Sequence, residues 1–245
     1  FLKEKTFYLN MYLYPMKKIF LLCCSLTFVI ALQAQDINEV VKKARTKIET
    51  VNDYEASGKM KTNVIFLKVP VANVKIYFKR PDRLKVKSEK GVSFIPKGAV
   101  SINMNSILSG NEFTVIDAGE EKIGNTMVRV AKLLPNDDNS DVVLSTVYID
   151  PVNSLIRKSK TTTKENGTFE LEMTYGKYAS FGLPDKIIFS FNTKDYKLPK
   201  GMTFDFDDGT EQKKPASLPK NKKGRAEITF SSYSINKGLD DALFK

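Results

Sequence analysis

Apolar and polar residues alternate in two runs within residues 71–88: Val74, Ile76 and Phe78, then Leu84 and Val86, put apolar side chains on one face while Lys75, Lys79, Lys85 and Lys87 take the other. Period two marks strands with one dry face. Arg80-Pro81-Asp82 interrupts the run, because proline has no N–H for a ladder and pushes the residue before it out of the helical region. The pattern predicts an antiparallel hairpin. The same period predicts strands at about 54–67, 92–95, 99–104, 113–117, 126–134, 142–150, 154–163, 168–176, 186–193 and 225–235, with turn signals such as Gly124-Asn125 and Asp150-Pro151-Val152-Asn153 between them. A different rhythm precedes them. Asp36-Ile-Asn-Glu39 forms a capping box, and Ile37, Val40, Val41, Ala44, Ile48 and Val51 recur every three or four residues, which predicts an amphipathic helix over 37–52. Residues 101–110 also suit a short helix.

Several strands share the one-sided pattern. Phe169, Leu171, Met173 and Tyr175 occupy one phase of their run; Ile187, Phe189 and Phe191 occupy one phase of theirs. A sheet of about ten strands with an apolar face must close on itself or be covered, and one strong helix is small for that task. The expected fold is mainly β (α+β), a large curled antiparallel sheet or half-open barrel with a few helices as a lid over an apolar cavity. Residues 194–224 are rich in Lys, Pro, Gly and Asp and read as a long surface loop or protruding hairpin. Leu239, Leu243 and Phe244 near the end are placed to dock on the body.

The N-terminal stretch sets the expected compartment. From Met16, two lysines, an apolar run over 19–32 and then Ala34 before Gln35 and Asp36 give the layout of a bacterial secretory signal. The run is shorter than the roughly 20 residues of a spanning helix. We therefore expect residues 1–34 to be an upstream extension plus a cleavable signal peptide, residues 35–245 to be a single domain, and the protein to be periplasmic in a Gram-negative bacterium. Cleavage would remove both cysteines, Cys23 and Cys24, leaving no thiol or disulfide. The formal charge of +11 would fall to 35 basic minus 27 acidic residues, +8. A basic surface attracts anionic partners, but the lysines are spread along strands. With no histidine, imidazole bases and Ser-His triads are out of reach.

The chain resembles the LolA/LolB/RseB-like periplasmic lipoprotein carriers. The resemblance rests on the first helix, the long run of strands, Tyr77-Phe-Lys-Arg-Pro-Asp-Arg-Leu-Lys-Val86 as a strand, Pro-Asp-Arg, strand signature, and Tyr148-Ile-Asp-Pro-Val-Asn-Ser-Leu-Ile-Arg157 as an "Asp, turn, Ile-Arg" hairpin. Phe181-Gly-Leu-Pro-Asp-Lys-Ile-Ile-Phe189 and Ser234-Ile-Asn-Lys-Gly-Leu-Asp-Asp-Ala-Leu-Phe244 also fit. It implies a half-closed barrel whose apolar cavity takes acyl chains, with the family's binding arginine placed on Arg83. The chain departs from the pattern in having no tryptophan.

The candidate ligand-binding residues are accordingly Met60, Phe66, Val74, Ile76, Phe78, Leu84, Val86, Met104, Phe169, Leu171, Met173, Phe189 and Phe191, with Arg83 as the polar contact. No cofactor, metal or catalytic residue is expected. Asp205, Asp207, Asp208 and Glu211 lack the ligand rhythm of an EF-hand loop. Neighbouring Glu120 and Glu121 should point to opposite faces of a strand. The expected partners are lipid or lipoprotein acyl chains, with a membrane surface or membrane protein as a further partner, no nucleic acid, and a monomeric chain. Two alternatives stay open: a sensor or protein-interaction domain of the same fold, and a carboxylate-based hydrolase.

Overall fold

The computed structural model describes residues 36–64, 67–68, 71–81, 83–88, 113–165, 167–192 and 223–244. The strands expected at 92–95 and 99–104, the short helix at 101–110 and nearly all of the 194–224 segment lie outside these residues, as do Phe66 and Met104.

The predicted helix forms as α1, Ile37–Glu49, with Ile37, Val40, Val41, Ala44 and Ile48 buried along one face. It stops short of residue 52 because Thr50 and Val51 turn back on the carbonyls of Lys47 and Ile48. Eleven strands follow among the described residues: β1 (Asp53–Val64), β2 (Leu67–Lys68), β3 (Ala72–Lys79), β4 (Arg83–Ser88), β5 (Phe113–Ile123), β6 (Thr126–Pro135), β7 (Val142–Asp150), β8 (Leu155–Thr163), β9 (Gly167–Thr174), β10 (Lys186–Asn192) and β11 (Lys223–Ile235). They make one curled sheet in the order β4-β3-β1-β11-β10-β9-β8-β7-β6-β5, with β2 folded back on β1. Every pairing is antiparallel. No ladder joins the edges β4 and β5 among the described residues, so the sheet is not closed into a barrel.

Two strands depart from their expected spans and a third from its expected phase. The 54–67 run breaks after Val64, and Leu67–Lys68 pairs back onto Asn63 and Val64. The strand expected at 113–117 continues to Ile123, through a register shift between Asp117 and Glu120. There Gly119 takes φ +85° and its N–H donates to the Asp117 carboxylate, a bulge that hides the second half of β5 from an alternation count. The third departure is in β11. Ala226, Ile228 and Phe230 share a face with Tyr233 and Ile235 only because the β1–β11 register slips at Ser57/Gly58. A Cβ on Gly58 would stand 2.6 Å from the Thr229 carbonyl oxygen, so the close approach of the two strands requires glycine.

Candidate functional site

The ladders gather the apolar phases of most strands on one face, while β6 also buries Val128 and Val130 on its other phase. One row across the sheet runs Val86, Ile76, Ala56, Tyr233; another runs Ala226, Phe189, Leu171, Ser159, Val147, Ala131. The side chains on this face separate into two clusters. In the first, α1 is seated on the sheet: Val40, Val41, Ala44 and Ile48 pack with Ala131, Leu133, Val147, Ile149, Ile156, Phe169, Leu171, Met173, Phe189 and Phe191. Small residues meet at this contact. Ala44, Ala131, Val147 and Ser159 are all fully buried, which brings helix and strand backbones close. Ser145 and Thr161 hydrogen-bond to each other at 2.9 Å within this floor.

The second cluster consists of Ala56, Met60, Val74 and Ile76, with Leu84, Val86, Ile228 and Phe230 half-buried at its margin. Among the described residues, no α1 side chain belongs to it. Tyr54 and Tyr233 touch both clusters and head a chain of rings. Tyr54 lies 5.2 Å from Phe78 and 5.4 Å from Tyr233; Tyr233 lies 5.0 Å from Phe230 and 4.9 Å from Tyr178. Burial pushes the phenols of Tyr54 and Tyr233 well above the ordinary tyrosine range, because ionisation would strand a charge in an apolar setting. Tyr233 donates its hydroxyl to the Pro184 carbonyl at 2.8 Å.

The expected site residues therefore do not form one group. Met60, Val74, Ile76, Leu84 and Val86 meet in the second cluster, Phe78 is buried beside it against Tyr54, and Phe169, Leu171, Met173, Phe189 and Phe191 belong to the buried cluster that also holds the apolar face of α1. Tyr54, Ile228, Phe230 and Tyr233 were not singled out from the sequence. The phase change in β11 concealed the last three, and Tyr54 stands where the helical rhythm gives way to period two.

Arg83 reaches the chain's own tail. Its guanidinium contacts the Asp241 carboxylate at 2.8 Å and lies over the Phe244 ring at 5.5 Å. Lys79, opposite Arg83 in the β3–β4 ladder, binds the same carboxylate and donates to the Leu239 carbonyl. Hydrogen bonds from Lys79 and then Arg83 hold Asp241 below the usual carboxylate range. Arg80, the first arginine of the same turn, donates to the Glu49 carbonyl at 2.7 Å and pairs with its carboxylate. The Arg-Pro-Asp-Arg turn thus ties the end of α1 and the C-terminal segment to one hairpin. Asn236 and Asp53 complete the knot: Asn236 Oδ1 accepts from the Asn52 N–H at 2.7 Å, and Asp53 accepts from the backbone N–H of Lys237 and Gly238.

Asp117 and Glu120 converge on the buried Arg129. The two carboxylates are counter-ions to that guanidinium. No group of three or more potential metal-ligating side chains occurs among the described residues, and none of the described helices is long and apolar enough to cross a membrane.

No protein-family model matches the chain, and no curated protein does either. Solved structures do. A LolA superfamily protein from Nitrosomonas europaea aligns with TM-score 0.53 and 10% identity over 85% of this chain and 96% of its own. The chain has the LolA-like fold. A DUF1329 family protein from Desulfovibrio piger aligns with TM-score 0.54 and 13% identity over 85% of this chain and 97% of that one. At such identities the likeness is one of LolA-like architecture: a broad antiparallel sheet, helix on one face, with function left to the side chains.

Proposed function

We propose that the protein is a periplasmic, non-enzymatic carrier that shelters acyl chains, of a lipid or a lipoprotein, against the apolar face of its sheet. The observation that carries this reading is the division of that face, since α1 belongs to one apolar cluster and not to the second, of β1, β3, β4 and β11, whose centre (Met60, Val74, Ile76) is buried and whose margin (Leu84, Val86, Phe230) is half-buried. Phe169, Leu171, Met173, Phe189 and Phe191 belong to the cluster that holds the apolar face of α1; the acyl site is the cluster of Met60, Val74, Ile76, Leu84 and Val86 with Phe78, Tyr54, Phe230 and Tyr233. Each methylene transferred there from water contributes ~0.8 kcal/mol, so a long acyl chain is held firmly without polar chemistry. A headgroup meets Arg83 only by displacing Asp241. The secretory layout of residues 16–36 supports export, and the LolA-like fold supports the class of cargo.

The test is extraction of the purified protein with organic solvent and mass spectrometry of the extract, followed by titration with a fluorescent fatty acid. Lipid in the extract and saturable binding are expected. Val86→Asp, at a half-buried position on an edge strand, should weaken binding at least tenfold while leaving the circular dichroism spectrum unchanged. Empty extracts together with no fatty-acid binding would overturn the carrier reading in favour of a solid interaction domain.

A further inference from the structure

We propose that the outer face of β1, β3 and β4 is a docking surface for an anionic lipid membrane. The sheet arranges its charges differently at its two ends. On the outer face of β8–β10, opposite signs are set across from each other: Lys158 faces Glu172 and Lys160 faces Glu170, Lys158 bridges Glu170 at 3.1 Å, and Lys186 bridges Glu227 of β11 at 2.7 Å. Such pairing is the stabilising arrangement for neighbouring strands. At the other end the rule is broken. Lys75 lies directly opposite Lys87, and Lys79 opposite Arg83. Glu55 reaches Lys75 at 3.1 Å and Asp241 serves both Lys79 and Arg83. Lys59 and Lys61 of β1 extend the array. The carboxylate across from Lys61, Glu227, is already engaged by Lys186 and Arg225.

Like charges across a ladder are destabilising, and an external plane of negative charge relieves them. The shape of the array favours a membrane over a protein partner. Lys59, Lys61 and Lys87 are exposed on a sheet face, where strands stand about 4.8 Å apart and same-face residues nearly 7 Å apart; that is a flat grid of cations, not a pocket. Protein interfaces are anchored by clusters of accessible aromatic or apolar side chains, whereas the aromatic residue here, Tyr77, is only 8% exposed, with the Lys87 ammonium over its ring, and among the described residues the exposed apolar side chain beside the array is the single Val71 just ahead of β3. The inference stands on charge geometry and does not depend on the acyl-binding reading.

The experiment is flotation of the purified protein with vesicles of phosphatidylglycerol and phosphatidylethanolamine, against phosphatidylcholine vesicles, at low and moderate salt. Two triple variants carry the same charge change: Lys59→Glu/Lys61→Glu/Lys87→Glu on the proposed face, and Lys43→Glu/Lys122→Glu/Lys132→Glu at exposed positions elsewhere. Removing three juxtamembrane lysines corresponds to a loss on the order of 100-fold. That loss is expected for the first triple, less than fivefold for the second, with salt weakening the parent's binding. The milder Lys59→Gln/Lys61→Gln/Lys87→Gln set should lose binding too, which keeps the test valid if reversal disturbs folding. Equal losses in both triples, full binding by the first, or equal binding of the parent to phosphatidylcholine would overturn the proposal. So would binding to polyglutamate through these lysines with no binding to anionic vesicles. Fatty-acid titration of the first triple should match the parent; if fatty acid fails to bind while vesicle binding holds, the carrier reading falls and the docking face stands.

Discussion

Replacing Asp150 tests how the turn between β7 and β8 is built. Its side chain is 2% exposed and pairs with Arg157 at 3.1 Å. It also accepts from the N–H of Val152 and of Asn153, both at 3.1 Å, and from the Asn153 side-chain amide at 2.9 Å. Burial alone would raise its pKa, but the Asn153 and Arg157 contacts outweigh burial and hold the carboxyl below its ordinary value of 3.8. Asp150→Ala removes every acceptor at once and leaves a cation and turn amides without it. Breaking a buried pair costs about 3–5 kcal/mol; because Arg157 is 24% exposed and water reaches it, we expect the low end, about 3 kcal/mol. For a domain of this size that lowers Tm by roughly 6–12 °C. Asp150→Asn keeps an acceptor for the turn but loses the charge, and should cost about 1–1.5 kcal/mol. The pH dependence has a definite sign. A depressed carboxyl contributes fully above 3.8 and loses its contribution as pH falls through the lower folded value, so the parent and the Asn variant should differ at pH 7 and converge below about pH 4. Urea denaturation followed by circular dichroism reads both quantities. A cost under about 1 kcal/mol for Asp150→Ala, or a gap that stays flat down to acid, would refute this account of the turn.

Other substitutions probe the bulge and the hairpin. Gly58→Ala drives a methyl into the Thr229 carbonyl and should cost about 2 kcal/mol, read as a lowered urea midpoint; Ser57→Ala, one residue away in the same strand, should be near neutral. Arg80→Ala removes a hydrogen bond to the last carbonyl of α1, and about 1–2 kcal/mol with it. Hydrogen exchange should quicken in the final turn of α1 before it does so in the strands. Arg83→Ala removes one of the two cations on Asp241 and the contact with Phe244, so exchange at residues 241–244 should rise while the urea midpoint barely moves. Fatty-acid affinity separates the two roles of Arg83: an unchanged value marks a tether, a fall marks a headgroup contact.

The hairpin of β3 and β4, the amphipathic α1 and most strand spans were legible because each is written in a period that a short window detects. What stayed hidden breaks the period or bridges distant residues. Asp117-Ala-Gly-Glu120 interrupts β5 with a bulge, so its second half has no alternation to find. The inward residues of β11 change phase at the bulge opposite Ser57 and Gly58, and so Phe230 and Tyr233 read as belonging to different faces. The two arginines of the turn have partners that no local pattern names. Arg80 meets a residue 31 positions earlier, and Lys79, beside it, meets one 162 positions later. An excess of apolar strand face was legible too, but not its division. Only the ladder shows that Met60, Val74 and Ile76 sit apart from the residues that α1 covers.

That division gives the β1–β3–β4 end of the sheet two unusual faces at once, and the alternation of single strands is the reason. In β3, Val74 and Ile76 point into the second apolar cluster while Lys75 and Lys79 point out. In β4, Leu84 and Val86 do the same opposite Lys85 and Lys87. A one-residue slip of either strand would exchange the faces, burying lysines and exposing the apolar row, so the register fixes both properties together. The knot of Arg80, Asn236 and Asp53 secures that register, because it binds the β3–β4 turn and the start of β1 to the end of α1 and the residues after β11. If the two proposals hold, an acyl chain on the inner surface and a membrane at the outer one would stand within one strand thickness of each other. Loosening the knot should then weaken both kinds of binding in parallel, whereas Val86→Asp should weaken one and the lysine triple the other.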